Sequence, residues 1–382
     1  MNTSLLNFLK CAECNSPNLM LRSIEKFESG KIKNGFIRCK NCEAVFPILE
    51  GVPIIFDNVS ISHFLLPSEL EAIAELKIPL IIKREFDALP LMKGQTQTSK
   101  NWTYQWLEMD TITFNKEWGQ YAGGPEKFHY YDIPISKQDY VGKIICEASC
   151  GYGRVIPILH KHCARYIAFD LSGAVYKAVK VFPGSEKLDV IRANMHNPPF
   201  RDSVFDIVFS PRAIHHTGDM ELAIKKLVPT LRTDGIFAYS VYSRENNFLM
   251  WGVIEPLKKI FNRYLPQGVL MFLSIILALL VFAIINLIYR PLEFFSLRFM
   301  PLHNFFTMWA TLSFKVLIIC IFDLLHAPYA EYISSTQISK WNELFNLEET
   351  NRKLLHDTTW GVSAIKKTTA SDQSTHNRSQ TN

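Results

Sequence analysis

Ile144-Ile-Cys-Glu147-Ala-Ser149-Cys150-Gly151-Tyr152-Gly153-Arg154 reads as an apolar strand that ends on an acidic residue and runs into a glycine turn. Glycine lets the backbone come close to a ligand where a strand gives way to a helix. A second apolar strand closes on Ala168-Phe-Asp170-Leu-Ser172. An acid at the end of the second strand, about 20 residues past the turn, suits ribose hydroxyls. Working outward, short apolar runs at Lys143–Glu147, Arg165–Asp170, Asp189–Ala193, Asp206–Ser210 and Gly235–Tyr242 alternate with helical segments. Strands that alternate with helices predict an α/β fold with a mostly parallel sheet.

Two nucleotide cofactors suit this layout. A nicotinamide dinucleotide asks for a third glycine to seat its pyrophosphate, and Pro157 and Ile158 stand near that place instead. Glu147 directs negative charge at the turn, which opposes phosphates and favours the ammonium of S-adenosylmethionine. The electrostatics therefore favour the methyl donor.

With these residues in view, 143–243 resembles the class I, Rossmann-like S-adenosylmethionine-dependent methyltransferases, of the type 11 kind. The resemblance rests on Glu147–Arg154, Phe169–Ser172, Ala193-Asn194-Met195 with Pro199-Phe200, Phe205–Ser210 with Ile214-His215-His216-Thr217, and Asp234-Gly235 leading into a strand. It implies a seven-stranded, mostly parallel sheet. It also implies that Glu147, Ser149, Cys150, Gly151 and Gly153 hold the methionine part, that Asp170 and Leu171 meet the ribose, and that Asn194 and Met195 meet the adenine. Ser210, at the end of the fourth strand, is expected to face the cofactor. Ser149 stands where the family has glycine, and Asn194 where it has aspartate; the amide oxygen of Asn194 can still accept a hydrogen bond.

Methyl transfer to oxygen or nitrogen is an in-line displacement that sometimes needs a base. His216, and beside it His215, are the candidate catalytic residues, because histidine exchanges protons near neutral pH. A capping or packing role is the alternative. Arg212 reads either as a holder of an acidic substrate or as a solvated surface side chain. The aromatics of Trp102-Thr-Tyr-Gln105-Trp106 and Tyr121–Gly124 read as a lid on the cofactor or as linker packing, in a stretch (101–140) expected to be loop-like.

Cys11-Ala-Glu-Cys14 and Cys39-Lys-Asn-Cys42 are two C-x-x-C knuckles 24 residues apart. Two such turns complete a tetrahedral four-cysteine site for structural Zn2+. The Ala44–Phe56 segment that follows reads as strand, Glu-Gly turn, strand. Residues 8–56 resemble the small zinc ribbons that activate tRNA methyltransferases.

Gly268–Tyr289 is 22 residues without a charge. As a helix it would reach about 33 Å, enough for a bilayer core of ~30 Å. Arg263 and Arg290 flank it, and Phe305–Phe322 is a second apolar stretch broken by Lys315. The strands before and after this segment belong to one sheet, so a single crossing is excluded. The remaining options are membrane contact through 268–289, as a two-pass hairpin or as helices lying in the interface, and a soluble helical cap over the site.

The organisation expected is therefore a zinc ribbon at 8–56, a linker at 57–100 with a helix near Ser68–Leu89, and a methyltransferase core at 101–243 and 323–367. An apolar helical insertion occupies 244–322, a helix Thr336–Phe345 and two closing strands complete the core, and a disordered tail fills 368–382. The chain has 382 residues, 41 basic and 36 acidic, with 48% hydrophobic and 20% charged residues. That excludes a disordered or collagen-like protein, and eight cysteines are too few for a disulfide scaffold. The Met1–Lys10 segment has no secretory pattern, so the expected place is the cytoplasm, attached or not to the cytoplasmic face of a membrane. The expected function is methyl transfer from S-adenosylmethionine, at oxygen, to a small-molecule or lipid-linked acceptor. The rivals are an RNA base methyltransferase and an inactive binding module or membrane-associated scaffold. Basic residues do not cluster as nucleic acid requires, so nucleic acid is the less favoured partner. Oligomeric state stays open.

Overall fold

The computed structural model describes residues 1–81, 90–258, 265–297, 299–300 and 302–368. Arg263, the end of the helix expected to reach Leu89, and the tail from residue 369 lie outside them. Among the described residues eleven strands form one sheet: β1 (Leu19–Lys26), β2 (Ile32–Cys39), β3 (Val45–Leu49), β4 (Val52–Ile55), β5 (Ile144–Ala148), β6 (Arg165–Asp170), β7 (Leu188–Ala193), β8 (Phe205–Pro211), β9 (Leu231–Tyr242), β10 (Leu347–Leu355) and β11 (Thr359–Lys366). Their order is β1-β2-β3-β4-β7-β6-β5-β8-β9-β11-β10.

The α/β class is as expected, and β5 to β11 make the seven-stranded core. The count of seven for the whole sheet is corrected to eleven. The added strands are those of the cysteine-bearing ribbon, which does not stand apart. Its last strand, β4, pairs parallel with β7 through Ile54–Arg192 and Ile55–Ala193. The edge of a parallel sheet presents unpaired backbone groups, and β4 satisfies them. The parallel strands are buried on both faces, as helices on each side require, and β7 is enclosed along its whole length.

The chain leaves β5 for β6 and β7 on one side, then returns to β8 and β9 on the other. A crevice opens at the carboxyl ends of the strands where the order reverses. The glycine turn after β5 sits in it, and the helix beyond the turn is a single turn, Ile156–Leu159.

Residues 101–140 are not loop-like. They fold into the end of a helix Pro90–Glu108 and the helices Thr111–Glu117 and Pro125–Asp132. The aromatics carry the helical spacing: Trp102 stacks on Trp106, and Phe114 on Trp118, each pair four residues apart. Asp110 caps the second helix by accepting from the backbone of Ile112 and Thr113.

The insertion forms one apolar helix, Gln267–Phe294, then helices His303–Trp309 and Phe314–His326. The long helix buries Leu270, Ser274, Ala278 and Ile285, spaced for one face, and that face belongs with Val316, Leu317 and Ile321 of the last helix to the insertion's core. Its other face is bare. Phe272 is 62% exposed, Leu280 56% and Leu287 77%.

Candidate active site

Asp170 organises the glycine turn. Its Oδ2 accepts from the Gly151 amide at 2.8 Å, and its Oδ1 accepts from the amide and hydroxyl of Ser172, both at 2.7 Å. The amides of Ser149 and Cys150 donate to the Phe169 carbonyl at the end of β6. The turn runs through the left-handed region, with φ of 66° at Ser149, 54° at Gly151 and 86° at Gly153. Gly153 is a packing position: a Cβ there would lie 2.8 Å from Ile156 and 3.0 Å from the Ala178 backbone.

Glu147, on β5 beneath the turn, is enclosed, and its carboxyl accepts from the Tyr166 hydroxyl at 2.5 Å. Burial raises its pKa to about 8. Asn194 follows β7. Its Nδ2 donates to Gln95 at 2.9 Å and its Oδ1 accepts from the His196 amide at 3.0 Å, so each end of the side chain is oriented.

A cavity of about 240 Å³ lies over these residues. Glu147, Ser149, Cys150, Gly151, Asp170, Leu171, Asn194, Met195 and His216 all stand on its wall. Gly153, Ser210 and His215 do not line it. Ser210 is fully enclosed, with no hydrogen-bond partner for its hydroxyl among the described residues. His215 is also fully enclosed, between the rings of His216 and Tyr242 at 4.2 and 4.1 Å.

His216 directs Nδ1 at the Tyr329 carbonyl, 2.5 Å away. A carbonyl only accepts, so Nδ1 carries the proton and Nε2 keeps the lone pair. Burial drives the pKa of His216 down to about 3, and the ring is neutral. Arg212 is a half-buried, paired side chain on the cavity wall. Its Nε meets Asp132 at 2.7 Å and its guanidinium lies 5.3 Å from the Phe128 ring. Trp102 and Trp106 of the first aromatic segment reach the cavity, with Trp102 5.3 Å from the His216 ring.

The roof comes from the insertion. Met250, Phe305, Met308 and Trp309 line the cavity, as do Cys320, Asp323 and Leu324 of the Phe314–His326 helix. Sequence reasoning missed these as site residues. One signal was present: Asp323 is the lone carboxylate in the apolar run Phe314–His326.

At the far end of the chain, the sulfurs of Cys11, Cys14, Cys39 and Cys42 lie within 4.8 Å of one another. Two of the separations are 3.5 Å (Cys11 to Cys42) and 3.6 Å (Cys14 to Cys39). Tetrahedral bonds of about 2.3 Å to one zinc ion would space sulfurs by ~3.8 Å, so the donor set fits that ion.

Residues 146–239 match the family described as the methyltransferase domain. The chain is similar to the phthiotriol/phenolphthiotriol dimycocerosates methyltransferase of Mycobacterium tuberculosis, 29% identical over 153 residues, which is 38% of this chain and 57% of that protein. It is similar to phthiotriol/phenolphthiotriol dimycocerosates methyltransferase 1 of Mycobacterium ulcerans, 30% identical over 155 residues, 40% of this chain and 55% of that one. The chain thus spans little more than half the length of these relatives. Among solved structures, the N-methyltransferase NodS of Bradyrhizobium japonicum in complex with S-adenosyl-L-homocysteine superposes with a TM-score of 0.40 and 11% identity, over 71% of this chain and 98% of that one.

Proposed function

We propose that this protein, whose residues 146–239 match the methyltransferase domain family, moves the methyl group of S-adenosylmethionine to an oxygen of a lipophilic, lipid-linked acceptor at a membrane surface. One observation carries this reading: a single cavity has Glu147, Asp170 and Asn194 on its polar floor and Met250, Phe305, Met308 and Trp309 on its apolar roof.

The floor suits the methyl donor. Glu147 would hold its ammonium, the Ser149–Gly153 turn its methionine chain, Asp170 and Leu171 its ribose, and Asn194 with Met195 its adenine. Bound there, the donor supplies an electrophilic methyl group. The chain's own work is to align and to exclude water. Trp102, Trp106 and the roof residues keep the reacting atoms in an apolar enclosure. His216 offers Nε2 to a hydroxyl of the acceptor; with its pKa held at about 3 it orients that hydroxyl without retaining the proton. His215, off the cavity wall, acts by packing against His216 and Tyr242. The four cysteines would hold a structural zinc ion that folds the ribbon and takes no part in the chemistry.

The lipid-linked acceptor is supported by the roof and by the relatives, whose names specify methylation of dimycocerosates. The bare face of the Gln267–Phe294 helix supports membrane contact. The helix Phe314–His326 has 13 residues, about 20 Å, which is short of a ~30 Å bilayer core. With β9 and β11 in one sheet, immersion of the long helix along the interface suits the insertion better than a crossing.

The test is calorimetric titration with S-adenosylmethionine, followed by incubation with methyl-labelled donor and lipids extracted from the source organism. Micromolar binding and label in the organic phase are expected. No binding at millimolar donor overturns the reading, and label found only in RNA replaces the acceptor.

A further inference from the structure

The roof of the cavity carries an ionisable group that neither the glycine turn nor the histidine pair accounts for. Asp323 sits on the Phe314–His326 helix between two other cavity-lining residues, Cys320 and Leu324, so this face of the helix looks into the site. Its Oδ1 accepts from Gln105 Nε2 at 2.7 Å. Gln105 is wholly enclosed, and its own carbonyl oxygen Oε1 has no partner among the described residues. An amide in that position serves either state of the carboxyl: in this orientation it donates to the carboxylate, and turned over it accepts from the acid. Burying Gln105 with an unpartnered oxygen costs stability, and a proton-handling partner gives that cost a use.

We propose that Asp323, held in place by Gln105, is the base that takes the proton of the acceptor's hydroxyl. The inference rests on the methyl-transfer reading above. As the acceptor oxygen bonds to the methyl carbon, the carbon–sulfur bond breaks and sulfur keeps its electron pair. The hydroxyl proton passes to an Asp323 oxygen, and the carboxyl later releases it to solvent. His216 orients the same hydroxyl and does not store the proton.

The electrostatic setting supports this division. Burial lifts the Asp323 pKa to about 6, against the opposing pull of Gln105, Lys258 and Arg154. Lys258 is itself ion-paired with Glu255. Of the groups on this side of the cavity, Tyr152, Tyr242 and Cys320 are pushed up by burial and His216 and His326 are pushed down, while Arg212 on the same wall is ion-paired with Asp132. On the floor, Glu147 titrates higher, at about 8. Asp323 is therefore charged at neutral pH yet weakly enough acidic to accept a proton.

The experiment compares the full-length protein with Asp323→Asn and Asp323→Glu. Calorimetric affinity for S-adenosylmethionine should stay within about threefold for both. Label transfer into extracted lipids should fall about 100-fold or more in Asp323→Asn, with recovery of at least tenfold in Asp323→Glu. The limb of the rate–pH profile centred near 6 should disappear in Asp323→Asn, while any limb near 8 remains. A readout without substrate accompanies this one. The folded pKa lies above the unfolded value, so between pH 4 and 6 the wild-type Tm should fall relative to that of Asp323→Asn, then run parallel to it. A rate within threefold of wild type in an Asp323→Asn protein that binds the donor overturns the proposal. So does a Tm difference that is flat from pH 4 to 7. If the wild-type protein binds no donor, the methyl-transfer reading falls and this inference with it, and the Tm titration then still reports where the carboxyl ionises.

Discussion

The side-chain amide of Asn197 donates to the Ala12 carbonyl at 2.9 Å, tying the first cysteine knuckle to the loop that follows β7. Two backbone bonds reinforce the tie, from Lys10 to Pro199 and from Arg201 to Phe8. That loop begins with Asn194 and Met195 on the cavity wall. Stripping the zinc ion proposed for the four cysteines should therefore do more than loosen the ribbon. The expected result is a fall in Tm on the order of 10 °C and a loss of about tenfold or more in affinity for S-adenosylmethionine. Metal analysis, scanning calorimetry and titration before and after chelation check this. Unchanged affinity in a folded, metal-free protein would contradict the coupling.

Ser149 holds φ of 66°. The left-handed region costs a residue with a Cβ about 1–2 kcal/mol, partly offset by the greater freedom glycine loses on folding, about 0.5–1 kcal/mol. Ser149→Gly should thus stabilise the protein by up to about 1.5 kcal/mol, and Ser149→Val should destabilise it. Denaturant unfolding of the three proteins measures both signs.

Arg192 is wholly buried on β7 and ion-paired with Glu69. It also donates to the Leu171 carbonyl at 3.2 Å, next to Asp170. Replacing it with methionine leaves the Glu69 charge enclosed without its partner, which should cost about 3–5 kcal/mol. A loss below about 1 kcal/mol in an unfolding titration would mean that Glu69 finds another cation or a proton.

Glu147 gives a pH signature. Its folded pKa is raised from 4.5 to about 8. The folded protein thus binds more protons than the unfolded chain across that window, and this group's contribution to stability falls as pH rises through it. An ammonium bound beside Glu147 favours the carboxylate, so donor binding at pH 7 should release up to one proton. Binding enthalpies in two buffers of different ionisation enthalpy count it. Glu147→Gln should abolish the release, and an unchanged release in that variant would place it elsewhere.

Phe272 and Leu280 lie on the bare face of the long helix. Burying each apolar side chain in lipid is worth about 1.5–3 kcal/mol. The double variant Phe272→Asp, Leu280→Asp should reduce sedimentation with phospholipid vesicles by about 100-fold or more, with Tm within ~2 °C of wild type because neither side chain is in the core. Equal sedimentation of the two proteins would leave the helix as a soluble cap.

The local chemistry of this chain is written in its sequence. Strands β5 to β9 are apolar runs bounded by turn signals, and the glycine turn, Asp170 and the cysteine knuckles announce themselves by spacing, because each depends on residues a few positions apart. The helices of 101–140 were also encoded, in aromatic pairs four residues apart, but aromatic richness masks a helical period when the pairs are short. Other features depend on contacts between distant segments, and only the tertiary structure decided them. Backbone pairing of β4 with β7 merges the ribbon into the sheet, and no side-chain pattern specifies which free edge a strand will find. Burial leaves Arg212 paired with Asp132, shuts His215 away from the cavity and brings Asp323 into it across more than 200 residues from its partner Gln105. Hydropathy marked the insertion as apolar. Packing against the Phe314–His326 helix determined which face of it stays bare.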